Sequence, residues 1–154
     1  MKKKWIITLF LAFFVCTITI SYADCHEKVM KWNEMPREIQ QFINTHFTGV
    51  KVTKACRLDK GRHKVELTNG YEVEFDRNGV WQEIENELHA TLPVSVVALL
   101  PEYAVRYIGR NYPDWTVYNI NHTSKGYEVK LRGPYLVELY FDSSGNFIKH
   151  EVDD

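Results

Sequence analysis

The sequence lacks the short motifs that mark common catalytic and zinc-binding sites. It contains no His-Glu-x-x-His run and no Gly-x-Ser-x-Gly turn, the patterns of zinc proteases and serine hydrolases. Its six histidines form no closely spaced metal-binding pair, and the adjacent Cys25 and His26 are awkwardly placed for one tetrahedral ion. We therefore expect a protein that is not an enzyme, with an unrecognised hydrolase as the less favoured alternative.

The sequence also has no excess of positive charge. It contains 19 Lys and Arg against 20 Asp and Glu, and the two signs are interspersed along the chain. Proteins that bind nucleic acid neutralise phosphates with a basic stripe or patch, and none is visible here. The composition therefore argues against a nucleic-acid partner.

Only one long apolar run occurs, and it lies at the N-terminus. Lys2, Lys3 and Lys4 precede apolar residues 5–20, and the small residues Ser21 and Ala23 follow. This order predicts a signal peptide over residues 1–23 that is cleaved after Ala23. An uncleaved anchor is the alternative, although the run is shorter than the ~20 residues that span a bilayer. Nothing after Ala23 is apolar and long enough to cross a membrane, so we expect an exported protein without a membrane-spanning segment.

Cysteine is scarce. Cys16 falls in the predicted signal peptide, which leaves Cys25 and Cys56 in the exported chain. An even pair in an oxidising compartment favours a disulfide between these two residues. The alternative is that both thiols stay free or pair elsewhere.

The same pattern of apolar residues occurs twice in the chain. Met35-Pro36 and Leu100-Pro101 each begin a segment with apolar residues at the same helical spacing. The positions are Ile39, Phe42, Ile43 and Phe47 in the first copy, and Ala104, Tyr107, Ile108 and Tyr112 in the second. Proline suits the start of a helix because its missing N–H is not needed there. We therefore predict one amphipathic helix in each copy.

Alternating strand patterns follow each predicted helix. Asn69-Gly70 is a strong hairpin signal, and Asp-x-x-Gly turns occur at Asp76 and Asp142. The predicted fold is α+β, a tandem repeat of two modules that each pack one helix on a four-stranded antiparallel sheet. The first module covers residues 24–85 and the second covers residues 100–154. The apolar connecting segment, residues 86–99, is expected to pack between them.

The candidate binding residues lie on the strand face that the helices leave uncovered. Polar side chains alternate there with core residues, and Tyr140 alternates out of phase with Val137, Leu139 and Phe141. Tyrosine and tryptophan are enriched at protein interfaces, which adds Trp81 as a candidate. The residues proposed for protein binding are Glu72, Glu74, Trp81, Glu138 and Tyr140.

One turn has oxygen-bearing side chains at alternate positions, as calcium loops do. These are Asp142, Ser144 and Asn146. The turn lacks the bidentate glutamate of an EF-hand, and ordinary Asp-x-x-Gly turn chemistry explains the same residues. We therefore expect no cofactor, with calcium bound at this turn as the alternative.

These features together resemble a known family. Phe75-Asp76-x-x-Gly79-x-Trp81 and Phe141-Asp142-x-x-Gly145-x-Phe147 follow proline-initiated helices and alternating strands. The order resembles the beta-lactamase-inhibitor-like, PepSY-like family of bacterial periplasmic proteins over about residues 32–154. In the second copy, Arg132-Gly133-Pro134 departs from the Asn-Gly hairpin.

The resemblance implies a non-enzymatic periplasmic protein with no catalytic residues to transfer. It would bind an unidentified periplasmic protein through its open sheet face, and could inhibit a periplasmic enzyme in that way. Some members carry a calcium-regulated label, which supports the alternative of a calcium-binding or calcium-regulated protein with Asp142, Ser144 and Asn146 as ligands.

Overall fold

The computed structural model describes residues 28–153 of the 154-residue chain. The predicted signal peptide and Cys25 lie outside the described residues. The strands are β1 (Lys28–Val29), β2 (Val52–Arg57), β3 (His63–Leu67), β4 (Tyr71–Phe75), β5 (Trp81–Asn86), β6 (Thr116–Thr123), β7 (Gly126–Arg132), β8 (Leu136–Phe141) and β9 (Phe147–Asp153). The helices are α1 (Arg37–His46), α2 (Val94–Val97) and α3 (Glu102–Asn111), with short 3-10 turns at Trp32–Glu34, Asp59–Gly61 and Thr68–Gly70.

All nine strands form one antiparallel sheet whose order follows the chain from β1 to β9. The prediction of two modules, each with its own four-stranded sheet, is therefore wrong. The two halves join where β5 pairs with β6, with Ile84 opposite Ile120 and Glu85 opposite Asn119. Separate sheets would leave the backbone N–H and C=O groups at these two edges without strand partners, and the β5–β6 pairing satisfies them. The fold is mostly sheet, with few helices.

The two long helices form where the repeated apolar pattern predicts them. Helix α1 begins directly after Pro36 and α3 directly after Pro101. Each buries the same two positions of the pattern, Ile39 and Ile43 in α1, and Ala104 and Ile108 in α3. Because the remaining positions are polar or half-buried, one stripe of each helix packs on the sheet and the rest faces water.

A single hydrophobic core lies between the helices and the sheet. Val65, Val73 and Ile84 from the first half share it with Ile120, Val129 and Leu139 from the second. Leu92 and Val96 of the connecting segment are 2% and 0% exposed and belong to the same core. The segment between residues 86 and 99 is thus a packed element.

Cys56 lies fully buried in β2 and is disulfide-bonded. Since Cys25 lies outside the described residues, the Cys25–Cys56 pairing stays a prediction. Among residues 28–153, no helix has the length and apolar character required to span a bilayer.

Because the two halves share one core, we expect them to unfold together in a single transition. Ile84→Ala and Ile120→Ala, which lie opposite each other in β5 and β6, should each lower the free energy of unfolding by about 2–5 kcal/mol, because each leaves a cavity in the core. Urea unfolding followed by tryptophan fluorescence should keep one transition in both variants. The surface control Val94→Ala, at a residue 86% exposed, should change the free energy by at most about 0.5 kcal/mol. Two separate transitions would contradict a common core.

Candidate protein-binding face

The open face is the side of the sheet that points away from α1 and α3. Side chains that alternate with the core residues form two rows across it, which follow from the strand register. One row contains Lys64, Glu74, Glu83, Asn121, Glu128, Tyr140 and Lys149. The other contains Lys54, Glu66, Glu72, Glu85, Asn119, Lys130, Glu138 and Glu151. The face is therefore polar from β2 to β9.

Five glutamates gather in the middle of this face and are called the acidic cluster below: Glu66, Glu72, Glu74, Glu83 and Glu85. The register places Glu72 directly opposite both Glu66 on β3 and Glu85 on β5. Glu74 lies directly opposite Glu83. Like charges at directly opposed positions of an antiparallel pair destabilise the sheet. The directly opposed carboxylates therefore repel one another at neutral pH.

Lys64 provides partial compensation inside the acidic cluster. Its Nζ lies 2.5 Å from Glu72 Oε1, and both side chains are nearly buried. Burial favours the neutral amine, but the hydrogen bond to Glu72 and the surrounding carboxylates outweigh burial and raise the pKa of Lys64. For Glu72 the balance is reversed, because burial raises its pKa against the opposing effect of Lys64.

Two further cations pair with the acidic cluster: Lys54 Nζ lies 3.3 Å from Glu66 Oε1, and Arg62 Nη1 lies 3.2 Å from Glu74 Oε2. Three of the five carboxylates are thus in ion pairs, and Glu83 and Glu85 are the two outside these pairs.

Asn119 connects the acidic cluster to the second half of the chain. Its side chain is 1% exposed, and its Nδ2 donates to Glu83 Oε1 at 2.8 Å and to Glu85 Oε2 at 3.3 Å. Its Oδ1 is buried and has no hydrogen-bond partner among the described residues. Burial and the nearby Glu83 raise the pKa of Glu85, although the Asn119 hydrogen bond lowers it in part.

Glu83, Glu85 and Asn119 were not among the residues predicted from the sequence. The two glutamates could have been found, because they alternate with Ile84 on a strand. Asn119 could not, since the register shifts between Val117 and Asn119 and four successive residues of β6 are buried. Such a bulge changes the phase of a strand without a clear sequence signal.

The predicted residues fall into two groups. Glu72 and Glu74 belong to the acidic cluster on β4, while Glu138 and Tyr140 lie together on β8. The Tyr140 hydroxyl donates to Glu151 Oε2 at 3.1 Å, and Lys149 Nζ lies 4.4 Å from its ring centroid. Burial, Glu138 and Glu151 together raise the pKa of the Tyr140 phenol.

Trp81 does not join either group. It lies opposite Phe75 and packs against the hydrophobic core. Its ring centroid is 5.6 Å from that of His122 and 6.3 Å from that of Tyr127. Trp81 therefore covers the β5–β7 region of the core side of the sheet.

The two Asp-x-x-Gly turns use their aspartates in the same way. Asp142 Oδ1 accepts the backbone N–H groups of Ser144 and Asn146, each at 2.9 Å, and Oδ2 accepts from Asn146 Nδ2 at 2.9 Å. In the first turn, Asp76 Oδ1 accepts the backbone N–H groups of Asn78 and Val80. The side-chain and backbone hydrogen bonds from Asn146 lower the pKa of Asp142. Both carboxylates are thus engaged by turn donors.

Gly145 lies in the second Asp turn, where the chain passes close to the start of α3. Gly145 has a φ of +86°, and a Cβ there would lie 2.7 Å from Cβ of Pro101. The turn therefore packs directly against the start of α3. Within residues 28–153, no three or more His, Cys, Asp or Glu side chains are arranged to hold a metal ion.

Comparison with known proteins places the fold in a family. The family model described as "Putative beta-lactamase-inhibitor-like, PepSY-like" matches residues 61–149. A "putative calcium-regulated periplasmic protein" of Bacteroides thetaiotaomicron is 35% identical, with a TM-score of 0.69, and the match covers 80% of this chain and 95% of that one. A comparison with curated proteins gives no match.

Two structures from Bacteroides vulgatus agree with this assignment. A "putative periplasmic protein from DUF2874 family" is 35% identical, with a TM-score of 0.68, over 80% of this chain and 95% of that one. A "putative periplasmic protein of unknown function" is 28% identical, with the same TM-score, over 80% and 98%. Since the family model covers more than half of the sequence, the chain belongs to the beta-lactamase-inhibitor-like, PepSY-like family.

Proposed function

We propose that this chain is an exported periplasmic protein that binds another protein through its open face, with the acidic cluster contacting a cationic surface of the partner. The predicted signal peptide and the periplasmic descriptions of the relatives support the location. Inhibition of an enzyme is one consequence that such binding could have. The observation that carries the proposal is the set of directly opposed carboxylates on the open face.

Ion pairs within the chain account for only part of this set, because they engage Glu66, Glu72 and Glu74. Glu83 and Glu85 share the neutral amide of Asn119 instead. Glu72, Glu74 and Glu85 lie opposite other carboxylates, an arrangement that opposes folding. A cationic partner would supply counter-charge to Glu83 and Glu85 and favour association at long range. The unpartnered Oδ1 of Asn119 beneath the cluster is a further polar group that the isolated chain leaves unsatisfied.

The dimensions of the open face suit a protein partner. Nine strands spaced about 4.8 Å apart span roughly 40 Å, and strands of this length are on the order of 20 Å long. The product is roughly 800 Å², close to the area that each partner contributes to a standard protein interface. Tyr140, held by Glu151 and Lys149, adds an aromatic contact towards the β9 side of the face.

Reversing a charge or removing the aromatic ring on the open face should weaken binding of the partner. Affinity capture from periplasmic extract with Glu74→Lys or Tyr140→Ala should recover at least about tenfold less partner than the unchanged protein, a loss of about 1.4 kcal/mol. Capture should also weaken with added salt, because the contact is between opposite charges. The control Glu34→Lys reverses an exposed charge outside the sheet and should capture normally. If the variants that capture less partner also melt at a lower temperature, these residues stabilise the fold and the proposal is contradicted.

Neutralising Glu85 should separate stability from binding. A carboxyl whose folded pKa is raised contributes stability only at low pH, and that contribution is lost as the pH rises through the folded pKa. At pH 7 the ionised Glu85 therefore opposes folding, and Glu85→Gln should melt at a higher temperature than the unchanged protein. The gain should shrink as the pH falls through the raised pKa of Glu85. Capture of the partner should weaken at the same time.

The matched control for this comparison is Glu128→Gln. Glu128 lies on the same face opposite Asn121 and Tyr140, with no carboxylate directly across from it. Its neutralisation should not raise the melting temperature. If Glu85→Gln instead lowered the melting temperature at pH 7, the ionised Glu85 would stabilise the folded chain. That result would contradict the proposal that its charge is there for a partner.

Calcium binding at the second Asp turn is a second candidate function, favoured by the calcium-regulated description of the relative that is 35% identical. Calcium bound at Asp142, Ser144 and Asn146 would raise the melting temperature by mass action on the folded state. Asp142→Asn should abolish that rise, whereas Asp76→Asn, in the other turn, should keep it. The absence of any shift at millimolar calcium would exclude the site, and an equal shift in both variants would place calcium elsewhere.

A further inference from the structure

We propose that two copies of this chain associate by antiparallel pairing of the outer edges of β9, with His150 at the two-fold axis. The proposal concerns an edge of the sheet, and association is measured with the purified chain alone because Lys149 and Glu151 also contact Tyr140 on the open face. Three observations support it: the outer edge of β5 is paired whereas that of β9 is not covered by another described strand, apolar side chains on β9 are exposed, and β9 carries the opposite charges of Lys149 and Glu151 on either side of His150.

Strands β5 and β9 occupy corresponding places in the two halves of the chain. Each is the fourth strand after a long helix, and each follows an Asp-x-x-Gly turn. The outer edge of β5 pairs with β6, whereas β9 is the last strand of the sheet among the described residues. An edge of this kind presents backbone N–H and C=O groups that can pair with another strand.

The side chains at this edge are unusually apolar for a solvent-facing strand. Ile148 is 58% exposed and Val152 is 47% exposed. Phe147 stacks on Tyr107 but is still 36% exposed. Trp81, the corresponding residue of β5, is instead packed against His122 and Tyr127 from the neighbouring strands. A strand added beyond β9 would give Phe147 and the two aliphatic side chains comparable cover.

The sequence of β9 is complementary to itself in one register. With His150 opposite the partner's His150, Lys149 lies opposite the partner's Glu151. Ile148, which the register shift between β8 and β9 leaves without a partner on β8, comes next to the partner's Val152. Opposite charges at directly opposed positions stabilise an antiparallel pair. Each charge pair then occurs twice, because the interface is two-fold symmetric.

Neighbouring registers lose this complementarity. Only shifts that keep side chains of one face together are compatible with a continuous sheet. Centring the pair on Lys149 would place two lysines opposite each other, and centring it on Glu151 would oppose two glutamates. The charges therefore favour pairing of β9 with β9 of a second copy, in the register centred on His150.

Within one copy, Lys149 Nζ also forms an ion pair with Glu151 Oε1 on the same face of the strand. Any single charge change will disturb this internal pair as well as a contact between copies. The experiment must therefore distinguish the two effects. A mixture of two oppositely charged variants does so, because mixing restores contacts between copies and leaves each internal pair broken.

Sedimentation velocity over a concentration series tests the proposal with the protein purified from the periplasm. The unchanged protein should show a reversible monomer–dimer equilibrium, since a seven-residue strand is a small interface. Lys149→Glu and Glu151→Lys should each weaken dimerisation by at least about tenfold, because each opposes like charges twice. An equimolar mixture of the two variants should recover dimer, as should the double variant Lys149→Glu/Glu151→Lys.

Lys51→Glu provides the matched control, since it makes the same charge change at an exposed residue between α1 and β2, in the first half of the chain. It should dimerise like the unchanged protein, and melting curves at low concentration should show that all variants are folded. An unchanged protein that stays monomeric up to millimolar concentration would overturn the proposal. So would dimerisation that both single variants retain, or a mixture that recovers no dimer.

Discussion

The pairing of β5 with β6 is the interaction on which the rest of the structure depends. It joins two helix-and-strand segments of the chain into one sheet, with Ile84 facing Ile120 across the junction. Small domains bury too little surface to be stable alone, and each half here would be near that limit. A common core that includes Leu92 and Val96 of the connecting segment removes the problem for both halves.

The same junction creates the chemistry of the open face. Glu83 and Glu85 point away from the core because Ile84 points into it, and their nearest neighbours across the junction are Asn121 and Asn119. The Asn119 amide can donate to both carboxylates only because β6 runs beside β5. The joined sheet therefore gives Glu83 and Glu85 the amide of Asn119, while Lys54, Lys64 and Arg62 pair with the other three carboxylates of the acidic cluster.

Local sequence patterns predicted the elements well and their assembly poorly. The prolines at 36 and 101, the helical spacing and the alternating strands are local signals, and the helices begin where these signals place them. The pairing of β5 with β6 is not local, because it follows from unsatisfied strand edges that no residue pattern records. Alternation placed Glu72 and Tyr140 on the open face, but it missed Asn119 because of the bulge in β6. Trp81 was ambiguous in sequence because an aromatic residue suits both a core and an interface.

The two halves of the chain agree in some features and differ in others. Both halves keep the proline-initiated helix and the aspartate that accepts the N–H groups of its own turn. These features explain how each half folds. A directly opposed pair of carboxylates occurs in both halves, Glu72 with Glu85 in the first and Glu138 with Glu151 in the second. The halves differ in the other row of the face, where Glu74 lies opposite Glu83 but Tyr140 lies opposite Lys149. Folding alone does not require that asymmetry, because either set of polar side chains would solvate the sheet. Where the second half has a lysine opposite Tyr140, the first half has two opposed glutamates, one of which, Glu83, accepts from the neutral amide of Asn119. A cationic partner would complement that site, which is why the opposed carboxylates support the proposal of a binding surface there.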